Sequence, residues 1–144
     1  MKTFGKRNYN LNYWKRTGAY AVIQNDQQQF LCVEDSDGNL FLVGGGVEKG
    51  ESPERALIRE SIEETGHEIQ IVEHVGKADR HWVSAKYPRD SQHNIGILYT
   101  CRLLDKIAEP VEKEKMCWVD FNYLEKNLFH EHHLYLIKQH LNIS

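Results

Sequence analysis

The apolar residues of this chain fall in short clusters separated by polar turns, and these clusters predict strands on both sides of one central helix. Residues 17–24 (TGAYAVIQ) read as an apolar strand closed by the polar pair Asn25-Asp26, and residues 29–34 read as a second. The run Asp35-Ser36-Asp37-Gly38-Asn39 is a strong turn signal, after which residues 40–43 form a short strand leading into Gly44-Gly45-Gly46. Beyond the helix, residues 68–75 alternate as a strand, residues 95–104 form another, and residues 116–119 resume an apolar strand after the break at Pro110. Residues 1–15 are polar with scattered aromatics and predict no element, while residues 77–94 predict a long hairpin or loop. From residue 122 onward the pattern turns helical, with Leu134, Ile137 and Leu141 at i, i+3 and i+7. No internal repeat or linker interrupts the series. The pattern predicts a single mixed domain over residues 1–144, α/β in the broad sense and α+β in its element order.

Local chemistry places the central helix. Ser52 is a good N-cap, Pro53 occupies a position where its missing N–H costs nothing, and Glu54 sits at the positive end of the helix dipole. Gly66 stands where a left-handed cap would close the helix. Arg55 occupies the third helical position, so the capping box is incomplete. At about 100° per residue, Glu60 and Glu64 lie within about 40° of each other, with Glu63 roughly 60° to the other side. Like charges at these spacings repel, by a few tenths of a kcal/mol each. A solvated acidic face would account for the spacing alone. The same stripe suits a hard cation such as Mg²⁺, which takes one or two carboxylates and leaves its other positions to water and phosphate oxygens. The preceding glycines supply a backbone that can approach a ligand closely.

Composition narrows the field. A net charge of −3 argues against a non-specific binder of nucleic-acid polymers or of acidic membranes. No apolar run resembles a signal peptide or a membrane span. Cys32, Cys101 and Cys117 are odd in number, distant in sequence and set in apolar contexts, as expected of buried reduced thiols in a cytoplasmic protein. The histidines His130, His132, His133 and His140 invite a zinc reading, but only His130 and His133 share a helical face and no recognisable ligand spacing completes them. Polar helix surface is the expectation there.

Residues 44–67, GGGVEKGESPERALIRESIEETGH, resemble the signature box of the Nudix hydrolases: Gly, five residues, Glu, seven residues, Arg-Glu, a bulky apolar residue, any residue, Glu-Glu, any residue, Gly, a bulky apolar residue. Gly45, Glu51, Arg59, Glu60, Glu63, Glu64 and Gly66 fall on the fixed positions, whereas Ser61 and His67 stand where apolar residues are usual and Val43 replaces a common proline. The resemblance implies a mixed sheet sandwiched between helices, with the box as a loop–helix–loop against it. It implies hydrolysis of a nucleoside diphosphate linked to another moiety, with Mg²⁺ and, as an alternative, Mn²⁺. By similarity Glu60 and Glu64 are metal ligands, Glu63 is a third or water-mediated one, and the carbonyl of Gly45 adds another. Arg59 is expected to pair with Glu51, holding loop to helix.

The general base varies in such proteins. Glu112 and Glu114, a few positions before Trp118, are the candidates outside the box, Glu112 preferred, and Glu63 is the candidate within it. As substrate contacts, Arg16, Arg80, Lys86 and Arg89 could meet phosphates, and Tyr13, Trp14, Tyr20, Trp82 and Tyr87 could stack on a base. The basic and aromatic segment 80–89 is the expected seat of specificity. The expected partner is a small nucleotide: a nucleoside triphosphate, a dinucleoside polyphosphate or a nucleotide sugar. The resemblance also allows a homodimer, and allows a nucleotide sensor without turnover, although loss of box glutamates would mark that outcome and all are present.

Overall fold

The computed structural model describes residues 1–112 and 114–143. Along the chain run β1 (Lys2–Phe4), β2 (Asn12–Val22), β3 (Phe30–Glu34), β4 (Leu40–Gly46), α1 (Pro53–Thr65), β5 (His67–Trp82), β6 (Asp90–Lys106), β7 (Lys115–Val119), α2 (Phe121–Asn127) and α3 (Glu131–His140). Among the described residues the seven strands form one sheet in the order β1-β5-β6-β2-β4-β3-β7. The sheet is mixed: β2 runs parallel to β6 but antiparallel to β4, and β5 and β6 form a long antiparallel hairpin.

Alternation along the strands sends side chains to two cores. Ala19, Ala21, Leu31, Val33 and Val43 bury against Leu57 of α1. Their neighbours Tyr20, Val22, Cys32 and Leu42 bury on the other face, against Leu124 of α2 and Leu136 and Ile137 of α3. The sheet therefore lies between α1 and the α2–α3 pair, as the resemblance implied. No helix among the described residues is long and apolar enough to cross a membrane. Cys32 and Cys101 are buried free thiols, and Cys117 is partly buried.

Two expectations need correction. The polar N-terminal segment carries β1 and the first half of β2, whose residues Asn12 to Arg16 are all exposed. They show no core-facing period, and their strand state comes from parallel pairing with residues 90–94 of β6. The segment 77–94, expected as a long hairpin or loop, is a hairpin: it forms the paired ends of β5 and β6, with residues 83–89 as their turn. The C-terminal helical pattern is two helices, because α2 ends at Leu128, whose backbone is extended. His130 then opens α3.

Candidate active site

The loop 47–52 and α1 are locked together by one guanidinium. Ser52 caps α1 by accepting from the Arg55 N–H, and Gly66 closes it in the left-handed region at φ 77°, where its own N–H donates to the Ile62 carbonyl. Arg59 then reaches back along the helix. Its Nε donates to Glu51 Oε2 at 2.8 Å and its Nη2 to Glu51 Oε1 at 2.9 Å, a bidentate pair. Nη2 also donates to the Gly46 carbonyl at 3.0 Å, and Nη1 to Glu60 and Glu63 at 3.1 and 3.2 Å. Arg59 and the Glu48 N–H hold the Glu51 carboxyl down at about 2. Glu51 is thus permanently charged, and it positions the loop.

On the adjoining face of α1 the carboxylates converge. One oxygen each of Glu60, Glu64 and Glu112 lies within 4.8 Å of the others. Glu112 arrives there because residues 107–112 cap the end of α1, whose last carbonyls lack partners within the helix. The N–H groups of Val111 and Glu112 donate to the Glu63 carbonyl at 2.8 and 3.1 Å, and those of Ile107 and Ala108 to the Gly66 carbonyl at 2.8 and 3.2 Å. Burial lifts the pKa of Glu64 above the carboxylate range, and Glu114 and Glu112 push it in the same direction against a 2.8 Å hydrogen bond from the Gly44 N–H. Burial likewise raises Glu60 and Glu112, each helped by neighbouring carboxylates. Gly45 has to be glycine for a steric reason, since a Cβ there would come within 2.6 Å of the Glu60 carboxyl carbon. An all-oxygen donor set, crowded and like-charged beside a bare glycine backbone, fits a hard divalent cation.

These carboxylates line one end of a cleft of about 350 Å³. Arg16 and the glycines of β4 line it on the near side, beside the carboxylates, and Phe41, Trp82, His130, Gln92, His93 and Asn94 line the rest, with Asn94 next to Arg16 across the β2–β6 pairing. The expectation of a polar histidine surface is wrong here: His130, His132 and His133 are 8%, 0% and 1% exposed. Gly96 makes the room, because a Cβ on it would meet His133 Nε2 at 2.6 Å. The Nε2 atoms of His132 and His133 bond Asn94 Oδ1 at 2.7 and 3.3 Å, and Asn94 Nδ2 donates to the Tyr20 hydroxyl at 3.0 Å. Burial depresses the pKa of all three histidines, that of His132 to about 3, so the wall is uncharged at neutral pH.

A second group, Asp79, His81 and His93, also brings potential ligand atoms within 4.8 Å. It does not suit a metal. The His81 and His93 rings stack at 3.8 Å with 16° between planes, so their in-plane lone pairs run side by side without converging. His93 already uses Nε2 on Asp79 at 2.7 Å and Nδ1 on the Tyr13 hydroxyl.

The other candidates divide. Arg16, Tyr20 and Trp82 line the cleft, as does Glu114. Glu63 lies outside the group of converging carboxylates, and its side chain is engaged by Arg59. Arg80 turns to the Phe129 carbonyl at 2.7 Å, and its guanidinium lies 5.0 Å from the Trp82 ring centre. Tyr87 is exposed in the 83–89 turn, away from the cleft lining, and Lys86 beside it lies 4.0 Å from Asp37. Tyr13 bonds His93, and Trp14 is exposed. Of the segment 80–89, only Trp82 reaches the cleft. The sequence pattern singled out none of Gln92, His93 and Asn94, which line the cleft from β6 within a stretch that read as hairpin or loop.

Known proteins resemble this chain in sequence and in fold. A 64-residue stretch is 41% identical to a putative 8-oxo-dGTP diphosphatase of Bacillus subtilis, covering 44% of this chain and 43% of that protein. Another is 42% identical over 64 residues to the nucleoside triphosphatase NudI of Escherichia coli, covering 41% of this chain and 45% of that one. The chain thus aligns with less than half the length of either relative. The fold superposes on a NUDIX hydrolase from Nitrosomonas europaea with a TM-score of 0.71 at 19% identity, covering 89% of both chains. It also superposes on a MutT NUDIX hydrolase from Burkholderia pseudomallei with a TM-score of 0.66 at 25% identity, covering 85% of this chain and 96% of that one. Residues 14–139 match the NUDIX domain, which is most of the chain and includes every converging carboxylate, and the protein belongs to that family.

Proposed function

We propose that this chain is a pyrophosphohydrolase that cleaves a phosphoanhydride bond of a nucleoside triphosphate by attack of water. The observation that carries the reading is the convergence of Glu60, Glu64 and Glu112 within 4.8 Å at one end of a cleft whose other end is aromatic and uncharged. The similarity to a nucleoside triphosphatase and to a putative 8-oxo-dGTP diphosphatase supports it. Glu60 and Glu64, with the Gly45 carbonyl, would hold a divalent cation, Mg²⁺ or Mn²⁺. Such an ion supplies neutralisation of the diphosphate charge and activation of the attacking water.

The chain's own groups do the rest. Arg16 meets the phosphates from the near side of the cleft. Glu112 takes the proton of the attacking water as the new P–O bond forms and the bridging P–O bond breaks. Burial and neighbouring carboxylates raise the Glu112 pKa, which favours it as a proton acceptor beside the ion-holding carboxylates. Glu63, held by Arg59, is the poorer base, and Glu51 acts through Arg59 to hold the glycine backbone in place.

The test is phosphate and pyrophosphate release from a panel of nucleoside triphosphates, dinucleoside polyphosphates and nucleotide sugars, with Mg²⁺ and then Mn²⁺. Turnover of triphosphates that disappears with chelator is the expected result. Tight nucleotide binding with no turnover under either metal would replace the enzyme reading with that of a sensor.

A further inference from the structure

The cleft lining includes a side chain with a hydrogen-bond donor that no described residue accepts. Asn94 is 5% exposed and lines the cleft. Its Oδ1 lies 2.7 Å from His132 Nε2 and 3.3 Å from His133 Nε2, and its Nδ2 lies 3.0 Å from the Tyr20 hydroxyl. The Nδ1 atoms of His132 and His133 are buried and without partners. That fixes the tautomers. If both rings carry the proton on Nε2, two lone pairs go unused. The opposite choice would leave two buried N–H donors orphaned, which folded proteins avoid more strictly. Both rings therefore donate to Oδ1 and occupy its two lone pairs. Nδ2 carries two hydrogens, and only one is taken, by Tyr20.

Around this donor the cleft is lined by aromatic rings. The ring centres of Phe41 and Trp82 lie 5.7 and 5.1 Å from that of His130. Two cations flank Asn94 across the sheet, Arg80 on β5 and Arg16 on β2. Arg80 is spent on the Phe129 carbonyl, and Arg16 lines the cleft beside the glycines of β4. The face built by Phe41, Trp82 and His130 suits an uncharged aromatic ring.

We propose that this wall is a nucleobase subsite in which the free Asn94 N–H selects bases with a carbonyl oxygen over those with an amino group at the same position. His132 and His133 are positioning residues that hold the amide so that it presents a donor. The inference rests on the triphosphatase reading given above, and it is specific to the base. A carbonyl oxygen accepts from Asn94, whereas an amino group sets donor against donor in a desolvated site, where mismatched polar groups discriminate strongly.

Two substrate pairs test the effect, ITP against ATP and UTP against CTP, since each exchanges a carbonyl beside a ring N–H for an amino group beside a ring acceptor, and the Asn94 variant assigns the preference to the amide. The expected result is a kcat/KM favouring ITP and UTP by about tenfold or more, with the preference narrowed or reversed in Asn94→Asp, which places an acceptor where the donor was. Equal turnover within both pairs, or a preference for ATP and CTP, in the wild-type protein overturns the proposal whatever the variant does. If no triphosphate is hydrolysed, the enzyme reading fails separately, and equilibrium binding of the same four nucleotides decides the subsite by the same ratios.

Discussion

The two ends of the cleft bury polar groups in opposite ways. At one end Glu60, Glu64 and Glu112 are crowded with like charge, and burial raises the pKa of each. At the other end His132, His133, Asn94 and Tyr20 bond one another and are uncharged, with the Nδ1 atoms of both histidines left unpartnered. A buried charge without compensation costs several kcal/mol, while a buried neutral group left with an unused lone pair costs less. The first end is therefore arranged at the greater expense of stability and the second at the smaller. The contrast separates the residues that act on a phosphate from those that shape a surface, and mutations should separate the two in the same way.

The largest effect should come from Glu64→Gln. Glutamine keeps an oxygen for the Gly44 N–H but removes one crowded carboxylate. Hydrolysis should fall by about a hundredfold or more, while the thermal midpoint of the chelated protein holds or rises. A fall in both would mean that Glu64 supports the fold as well as the chemistry. Next is Arg59→Ala, which releases Glu51, Glu60, Glu63 and the Gly46 carbonyl together. Activity and melting temperature should drop in parallel, since the clamp orients the loop that carries the glycines. A loss of activity at unchanged melting temperature would contradict a positioning role.

The carboxylate end was legible in the sequence and the amide end was not, for a physical reason. Spacing along one helix determines which glutamates share a face, and the Glu51–Arg59 pair needs only a loop that returns to the helix it caps. Glu112 could be named from its place before Trp118, but the hydrogen bonds from residues 107–112 to the Glu63 and Gly66 carbonyls that bring it in depend on tertiary structure. Asn94 meets His132 across 38 residues, over a sheet whose parallel β2–β6 pairing no local pattern encodes. The histidines looked like helix surface because a polar residue type normally predicts exposure, and here Gly96 and Asn94 reverse that by offering space and an acceptor. The split between α2 and α3 was hidden because Leu128 and Phe129 continue an apolar pattern that the backbone abandons.

Acid should strike the amide end. A histidine whose folded pKa lies below its unfolded value, about 6.5, contributes stability that is complete above that value. The contribution is lost as pH falls toward the folded pKa, which for His132 is about 3. Arg80 and Asp79 from β5, His93 from β6, and His130 and His133 on its own helix are the charged and titratable groups around it. Arg80 opposes protonation and Asp79 favours it. The carboxylate end has the opposite sign, because a raised carboxylate pKa gives stability below about 4.5 that is lost as pH rises. The clean measurement is therefore a difference. Urea unfolding of wild type against His132→Gln, which can still donate to Asn94, should show wild type losing ground between pH 7 and pH 5. Parallel curves would mean that His132 takes up its proton without unfolding the wall.

The smallest effect tests whether the two faces of α1 are independent. Ser61 departs from the apolar residue usual at its position and is fully buried. Its hydroxyl donates to the His67 carbonyl at 2.9 Å, joining α1 to the start of β5 on the side away from the cleft. The substitution Ser61→Ala removes that bond and little else, so unfolding free energy should fall by about 1 kcal/mol. Because Glu60 is tethered by Arg59 and Glu64 by Gly44, neither through Ser61, kcat/KM should not change. If kcat/KM fell with stability, α1 would transmit strain from its packed face to its acidic one, and the carboxylate geometry would depend on how tightly β5 holds the helix.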